Sequence, residues 1–156
     1  MKTANNSFTL VKFRTMSGDA ENSGVTGGDK GSRVSNFQSN LRRFRLDEIP
    51  QLLNIISGDM SFVGPRPPLR QYVMSHPDVY AQVLKSRPGV TGLATLMMHR
   101  YEERLLSGSR NAKETDEIYR NQIIPRKARL DLIYQKNSSV CFDMKILYLT
   151  FLSLMR

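Results

Sequence analysis

The chain has 156 residues, enough for one domain with its own core. Its formal net charge of +9 predicts an anionic partner: nucleic acid, an anionic lipid surface or a phosphorylated substrate. A single cysteine, Cys141, excludes an internal disulfide and favours a reducing, cytoplasmic compartment. Because only two histidines occur, His76 and His99, a zinc site built on histidines is not expected.

The first residues are polar, and the sequence shows neither a signal peptide nor a run of about 18 apolar residues of the kind that spans a membrane. Polar and apolar residues alternate, with one slip, from Phe8 to Phe13. This pattern predicts a short strand with Lys12 and Arg14 on one face. Residues 17–40 are rich in Gly, Ser, Asn and Asp, a composition that predicts a long mobile loop.

The next segment combines many charges with a helix signal. Three arginines precede two adjacent carboxylates: Arg42, Arg43 and Arg45, then Asp47 and Glu48. Four apolar residues follow at the i, i+3, i+4, i+7 spacing of one helix face: Ile49, Leu52, Leu53 and Ile56. This spacing predicts a helix that starts near Asp47, tolerates Pro50 in its first turn and ends at Ser57–Gly58.

The acidic pair at the predicted helix start is a candidate site for a phosphate-rich ligand and a divalent metal. A helix N-terminus stabilises carboxylates and attracts phosphates, and carboxylates bind divalent metals. Arg66, between Pro65 and Pro67, is presented from stiff backbone, and guanidinium groups match phosphate geometry. The residues alone leave a second interpretation open, in which the acids belong to an ordinary first turn and the arginines form a solvated surface.

Short helices are predicted for most of the remaining chain. Pro77 divides residues 70–85 into two helices, and residues 87–92 form a tight turn. Asn111 caps a charged helix that runs to about Ile124, after which Pro125 restarts it. The last helix has an apolar seam for which a core position is expected, with burial in a membrane interface as the alternative: Val140, Met144, Leu147, Phe151 and Leu154.

Four motifs follow one another in a recognisable order: KFRTM at 12–16, LRRFRLDEIPQLLNIISGDMSFVGPRP at 41–67, RPGVTG at 87–92 and RLDLIYQKNSSVCFDMKIL at 129–147. Together they resemble the bacterial sugar transferase family, the small monotopic polyprenyl-phosphate phosphoglycosyl transferases. The resemblance covers residues 8–156 and implies one catalytic domain over residues 1–156. The expected fold is a compact, mainly helical α+β domain with a small β-hairpin. The membrane segment that family members carry before KFRTM is expected to be absent here.

The resemblance implies transfer of a sugar-1-phosphate from a UDP-sugar to a polyprenyl phosphate such as undecaprenyl phosphate, with release of UMP. This reaction would be the first membrane step of exopolysaccharide, O-antigen or other glycoconjugate assembly. The implied location is an anionic membrane surface, the cytoplasmic face of the bacterial inner membrane, and no nucleic acid is expected as a partner. The donor sugar is not identified.

Residue roles are implied by the same match. Asp47 would be the nucleophile, Glu48 a magnesium ligand or a proton acceptor, and both carboxylates would bind Mg²⁺. Three cations would bind substrate phosphates: Lys12, Arg42 and Arg66. Asp131, in the RLDLIY motif, is a further candidate for an active-site carboxylate.

The chain departs from the family pattern in two places. Arg45 stands where Ser or Thr is usual, which removes a capping hydroxyl from the helix start. Residues 97–104 replace the usual Asn-Gly-Arg, which implies a changed nucleotide or sugar pocket. Two alternatives therefore stay open: an inactive or regulatory, membrane-associated remnant of the family, and a basic nucleic-acid-binding module, which would lack a recognisable fold signature.

Overall fold

The structure is a computed structural model, and it describes residues 1–3, 6–14, 41 and 44–155. A 3-10 helix at Leu46–Gln51 continues into α1 (Leu52–Ile56), and β1 (Ser61–Val63) follows. The next elements are α2 (Arg70–Ser75), α3 (Pro77–Val83), β2 (Gly89–Thr91), α4 (Leu93–Ser107) and α5 (Ala112–Ile118). A π-helical turn (Tyr119–Ile123) leads into α6 (Ile124–Asn137), and α7 (Val140–Leu154) ends the described chain. This composition confirms the mainly helical α+β fold.

The two strands pair in parallel, with Ser61 opposite Gly89 and Val63 opposite Thr91. The expected β-hairpin is therefore wrong, because parallel strands need a crossover connection, here supplied by α2 and α3. The tight turn expected at residues 87–92 is likewise replaced by β2. The start of β2 lies so close to the residue after β1 that Gly89 has no room for a side chain. A Cβ atom on Gly89 would lie 2.1 Å from the backbone nitrogen of Gly64.

Two hydrophobic clusters form the core. The larger one joins α2, α3 and α6: Tyr72, Val73, Tyr80, Val83, Leu84, Ile124 and Ala128. The smaller one joins β1, α6 and α7: Val63, Tyr134 and Ile146. β1 is thus backed by the last two helices.

Several local signals are confirmed. Pro77 opens α3 directly after α2 ends at Ser75. Asn111 caps α5 by accepting a hydrogen bond from the Glu114 backbone N–H at 2.9 Å. Pro125 lies in the first turn of α6, as expected for a restarted helix.

The expected strand over Phe8–Phe13 is wrong, because no strand is assigned in residues 6–14. The middle of this segment pairs with a side chain. The carboxamide of Asn54 donates to Thr9 O at 2.9 Å and accepts from Val11 N at 3.0 Å. Since one side chain replaces a neighbouring strand, no ladder can form. The mobile loop predicted at residues 17–40 lies outside the described residues.

The helical segment at residues 46–56 has the predicted bounds, and its apolar face points outward. Its polar residues Gln51 and Asn54 are buried, whereas Ile56 is 82% exposed. The rest of the predicted apolar face is also exposed: Ile49, Leu52 and Leu53. Because Asn54 is buried where it binds residues 9–11, the apolar face on the other side of the helix points away from the core.

α7 also turns most of its predicted apolar seam toward solvent. Ile146 is its buried residue, while most of the predicted seam is exposed, including Val140, Met144 and Phe151. The expectation of a terminal core helix is therefore wrong for this seam. None of the described helices combines the length and apolar character that crossing a bilayer requires.

Candidate active site

The acidic pair lies where the sequence predicted, in the first turn of the 3-10 helix. Arg45 precedes it in a left-handed conformation with φ 53° and provides no side-chain cap, as expected from the missing hydroxyl. The Phe13 N–H donates to the carbonyl oxygen of Asp47 at 3.0 Å. The backbone next to Lys12 therefore runs alongside the acidic pair.

Glu48 is held between two guanidinium groups. Its Oε1 accepts a hydrogen bond from Arg66 Nη2 at 2.8 Å, and its Oε2 lies 3.6 Å from Arg45 Nη1. The side chain of Glu48 is only 10% exposed. Two close cations thus offset the charge of a carboxylate that has lost much of its hydration.

Arg66 reaches Glu48 from a segment that backbone hydrogen bonds to β2 hold at the two residues before it. Gly64 N donates to Thr91 O and Gly89 N donates to Pro65 O, each at 2.9 Å. Burial alone lowers the pKa of Arg66, but the charge of Glu48 and its hydrogen bond, with smaller contributions from Glu102 and Tyr119, raise it above its ordinary value. The side chain is still 43% exposed, so part of the guanidinium faces solvent.

The other predicted cations differ in what the structure shows. Lys12 is exposed, and its segment is tied to the helical segment through Asp47 and Asn54. Arg42 lies outside the described residues, so its predicted place beside the acidic pair stays a prediction. The structure therefore brings Asp47, Glu48 and Arg66 together and places the backbone of Lys12 beside them.

Asp131 lies in a different environment, buried in α6 near Tyr80 and Lys127. Burial raises its pKa to about 7, and Lys127 partly opposes the rise. No hydrogen bond or ion pair in the described part of the chain joins it to Asp47 or Glu48. Its assignment as an active-site carboxylate stays a prediction.

The sequence did not identify an acidic group, Glu102, whose charge acts on Arg45 and Arg66. Glu102 in α4 forms an ion pair with Lys127 in α6, with Nζ and Oε2 2.7 Å apart. The same Nζ lies 5.7 Å from the ring centre of Tyr119. Glu102 and Lys127 are 25 residues apart, so no local pattern links them. The one sequence feature that pointed to Glu102 was the departure of residues 97–104 from the family pattern.

The described residues contain no group of three or more acidic, histidine or cysteine side chains that could hold a metal by themselves. Magnesium does not need one, because it commonly binds one or two protein carboxylates together with substrate phosphates and water. Glu48 Oε2 is buried and accepts no hydrogen bond from the described residues, so a ligand position is open there. The Asp47–Glu48 pair therefore fits magnesium bound jointly with a diphosphate.

Comparison with known proteins supports the resemblance. The family model for bacterial sugar transferases matches residues 1–156. An "Uncharacterized sugar transferase EpsL" of Bacillus subtilis is 35% identical over 92% of this chain and 60% of its own length. A "UDP-glucose:undecaprenyl-phosphate glucose-1-phosphate transferase" of Caulobacter vibrioides is 35% identical over 95% of this chain and 51% of its own length.

A third relative is the "UDP-N-acetylgalactosamine-undecaprenyl-phosphate N-acetylgalactosaminephosphotransferase" of Aeromonas hydrophila. It is 31% identical over 94% of this chain and 31% of its own length. The chain thus spans between 31% and 60% of the length of these relatives. Since the family model covers all 156 residues, the chain belongs to the bacterial sugar transferase family.

Proposed function

We propose that the protein transfers a sugar-1-phosphate from a UDP-sugar to a polyprenyl phosphate, undecaprenyl phosphate in bacteria, and releases UMP. The observation that carries this proposal is the acidic pair whose Glu48 accepts a 2.8 Å hydrogen bond from Arg66 on a rigid segment. The names of two relatives agree, since they act on UDP-glucose or UDP-N-acetylgalactosamine and undecaprenyl phosphate. The proposed role is the first membrane step of exopolysaccharide, O-antigen or other glycoconjugate assembly.

Asp47 is the proposed nucleophile. Among the residues that the structure describes, its carboxylate makes no hydrogen bond or ion pair, and its charge acts on Arg45. An oxygen of Asp47 attacks the β-phosphorus of the donor, and a new O–P bond forms. The bond from that phosphorus to the bridging oxygen breaks, and UMP leaves with the electron pair.

The second step returns the enzyme to its starting state. An oxygen of the polyprenyl phosphate attacks the same phosphorus, and the bond to Asp47 breaks. The phosphosugar then belongs to the lipid, and Asp47 regains its free carboxylate. Because the attacking atoms are carboxylate and phosphate oxygens and not hydroxyl oxygens, neither step requires a strong general base.

The cations counter the charge of the donor. Arg66 would bind a substrate phosphate with the exposed part of its guanidinium while it keeps its contact with Glu48. Lys12 and Arg42 are proposed to bind the same diphosphate. Asp47 and Glu48 are the residues that would hold Mg²⁺, with Glu48 Oε2 as the open ligand atom. When bound, magnesium neutralises phosphate charge.

Membrane contact is proposed through the exposed apolar face of residues 46–56 and the exposed seam of α7. Ile49 follows the acidic pair directly, so this face begins at the proposed catalytic residues. Such a face beside a basic surface fits the interface of an anionic bilayer, where a polyprenyl phosphate resides. The proposed location is the cytoplasmic face of the bacterial inner membrane.

A vesicle experiment tests the membrane contact. Binding to vesicles that contain phosphatidylglycerol should be clearly weaker for Ile56→Glu than for the native chain. Ala81→Glu is the matched control, because Ala81 is an exposed apolar residue on α3. Equal binding of both variants and the native chain would rule out this face as the docking surface.

UMP release tests the activity itself. The protein is incubated with magnesium, undecaprenyl phosphate in detergent and each member of a panel of UDP-sugars. We expect UMP release with at least one donor and none with Asp47→Asn, whereas Asp59→Asn, which removes the partly exposed partner of Lys2, should keep turnover. Vesicle binding without UMP release from any donor would favour an inactive family member.

A further inference from the structure

α7 faces the two-stranded sheet with one apolar and two polar side chains. Asp143, Ile146 and Thr150 lie at i, i+3 and i+7, so they share one side of the helix. Ile146 is buried in the smaller hydrophobic cluster, and the two polar residues are partly buried on either side of it. The inner side of α7 therefore offers a hydrogen-bonding group at each end of its apolar contact.

Asp143 is connected to β1 through Tyr134 of α6. The hydroxyl oxygen of Tyr134 lies 2.8 Å from Asp143 Oδ1 and 3.3 Å from the carbonyl oxygen of Val63, the last residue of β1. A phenol has one hydrogen, so the two acceptors share it, and the shorter bond to the carboxylate is the stronger one. Tyr134 is only 5% exposed, and its ring centre lies 6.0 Å from that of Phe142. Tyr134 thus joins α7 to β1 just before the segment that carries Arg66.

Thr150 is connected to β2. Its Oγ1 lies 3.0 Å from Thr91 Oγ1 and donates to the carbonyl oxygen of Ile146 at 2.8 Å. Because the one hydroxyl hydrogen of Thr150 is used within α7, Thr91 is the donor between the two threonines. Thr91 is the last residue of β2, and its carbonyl oxygen accepts the Gly64 N–H at 2.9 Å. The bond from α7 therefore reaches the residue that holds the backbone shortly before Arg66.

We propose that Tyr134 and Thr150 are positioning residues that hold the backbone before Arg66, so that its guanidinium meets Glu48. This inference rests on the proposed function for its effect on turnover. Each strand has three residues, and a two-stranded sheet this short is not stable without support from neighbouring elements. A displacement of about 1 Å in a group that binds substrate can cost about 100-fold in rate. Neither hydroxyl touches substrate or reacting atoms in this role.

Kinetics of UMP release test the effect on turnover. Tyr134→Phe and Thr150→Val remove the two hydroxyls and keep similar side-chain shapes, whereas Thr150→Ser keeps its hydroxyl. We expect the first two variants to lower kcat/KM about 10-fold and Thr150→Ser to stay within about 3-fold of the native chain. Tyr148→Phe is the matched control, because Tyr148 is 63% exposed on α7, and it should stay within about 2-fold.

The same substitutions in an Arg66→Ala background separate positioning from a general loss of structure. Rates are measured as single turnovers with enzyme in excess over donor. With Arg66 removed, Tyr134→Phe and Thr150→Val should cause no further loss. An equal loss in both backgrounds, or no loss in the native background, would overturn the proposal.

Hydrogen exchange measures the same anchoring without activity. The Gly64 amide, which is bonded to β2, should exchange about 10-fold faster in Tyr134→Phe and in Thr150→Val than in the native chain. The Leu84 amide, in the larger hydrophobic cluster, is the internal control and should keep its rate. Equal acceleration of both amides, or unchanged exchange at Gly64, would contradict the positioning role. If the native chain releases no UMP but the exchange result holds, the proposed function fails and the anchoring of the strands by α7 stands.

Discussion

Arg66 donates from Nη2 to Oε1 of Glu48 over 2.8 Å, and this bond joins two segments that are 18 residues apart. One segment is the helix start that carries the acidic pair, and the other is the proline-rich segment that follows β1. Because Arg66 is held by its flanking prolines and by the sheet, the hydrogen bond fixes where Glu48 points. The geometry of the candidate site thus depends on a contact between a rigid loop and a short 3-10 helix.

Replacing Arg66 by lysine should separate its charge from its shape. Arg66→Lys keeps a positive charge but loses the fork that can contact Glu48 and a phosphate together, so kcat/KM for UMP release should fall about 10- to 100-fold. Arg70→Lys is the control, since Arg70 is exposed at the start of α2. Turnover of Arg66→Lys equal to that of the native chain would show that charge alone is needed.

Asn54 should matter for stability and for the position of Lys12. Asn54→Ala removes both hydrogen bonds to residues 9–11 and should lower the free energy of unfolding by about 2 kcal/mol in urea titrations. It should also weaken UDP binding measured by calorimetry, because the Lys12 segment loses its tie to the helical segment. Asn121→Ala, at an exposed position, should change stability by less than about 0.5 kcal/mol. A similar small effect of Asn54→Ala would refute this role.

Asp131 should make the folded state less stable as the pH rises. Its pKa is raised by burial from 3.8 to about 7, so below pH 3.8 it is protonated in both the folded and the unfolded state. Between these values the unfolded state releases the proton and the folded state keeps it, which lowers the free energy of unfolding. Above about pH 7 the carboxylate is charged in both states, and the cost is constant.

Asp131→Asn removes this cost. The variant should gain about 4 kcal/mol of stability over the native chain at pH 8 and almost nothing near pH 4, as measured by urea unfolding at each pH. Asp78→Asn, at an exposed position on α3, should show no such trend. An Asp131→Asn variant that is less stable than the native chain at pH 8 would mean that the charged form has a favourable role. Loss of UMP release with intact folding would support its assignment as an active-site carboxylate.

Local chemistry explains what the sequence could predict. The bounds of the helical segment at residues 46–56 follow from spacing and from Gly58, whose φ of +77° suits a helix end. Pro77 and Asn111 mark helix boundaries through their own backbone and side-chain bonds. Each of these signals acts within a few residues, so it can be read without the rest of the fold.

Long-range contacts explain what the sequence could not predict. The periodicity of residues 49–56 marks one apolar face but not its direction, and the buried side is decided by the bonds of Asn54 to residues 9–11. Parallel pairing of β1 with β2 depends on a crossover, and the Glu102–Lys127 pair joins two helices. The positions of Asp47, Glu48 and Arg66 were predicted by resemblance, whereas Glu102 required the structure.

The proposed aspartyl intermediate can be observed directly by mass spectrometry. The protein is incubated with magnesium and its UDP-sugar donor in the absence of polyprenyl phosphate, quenched and digested with protease. We expect UMP release of up to one equivalent and a peptide that carries the phosphosugar on Asp47, which disappears when undecaprenyl phosphate is added. UMP release without an adduct, or an adduct that persists in Asp47→Asn, would contradict the covalent mechanism.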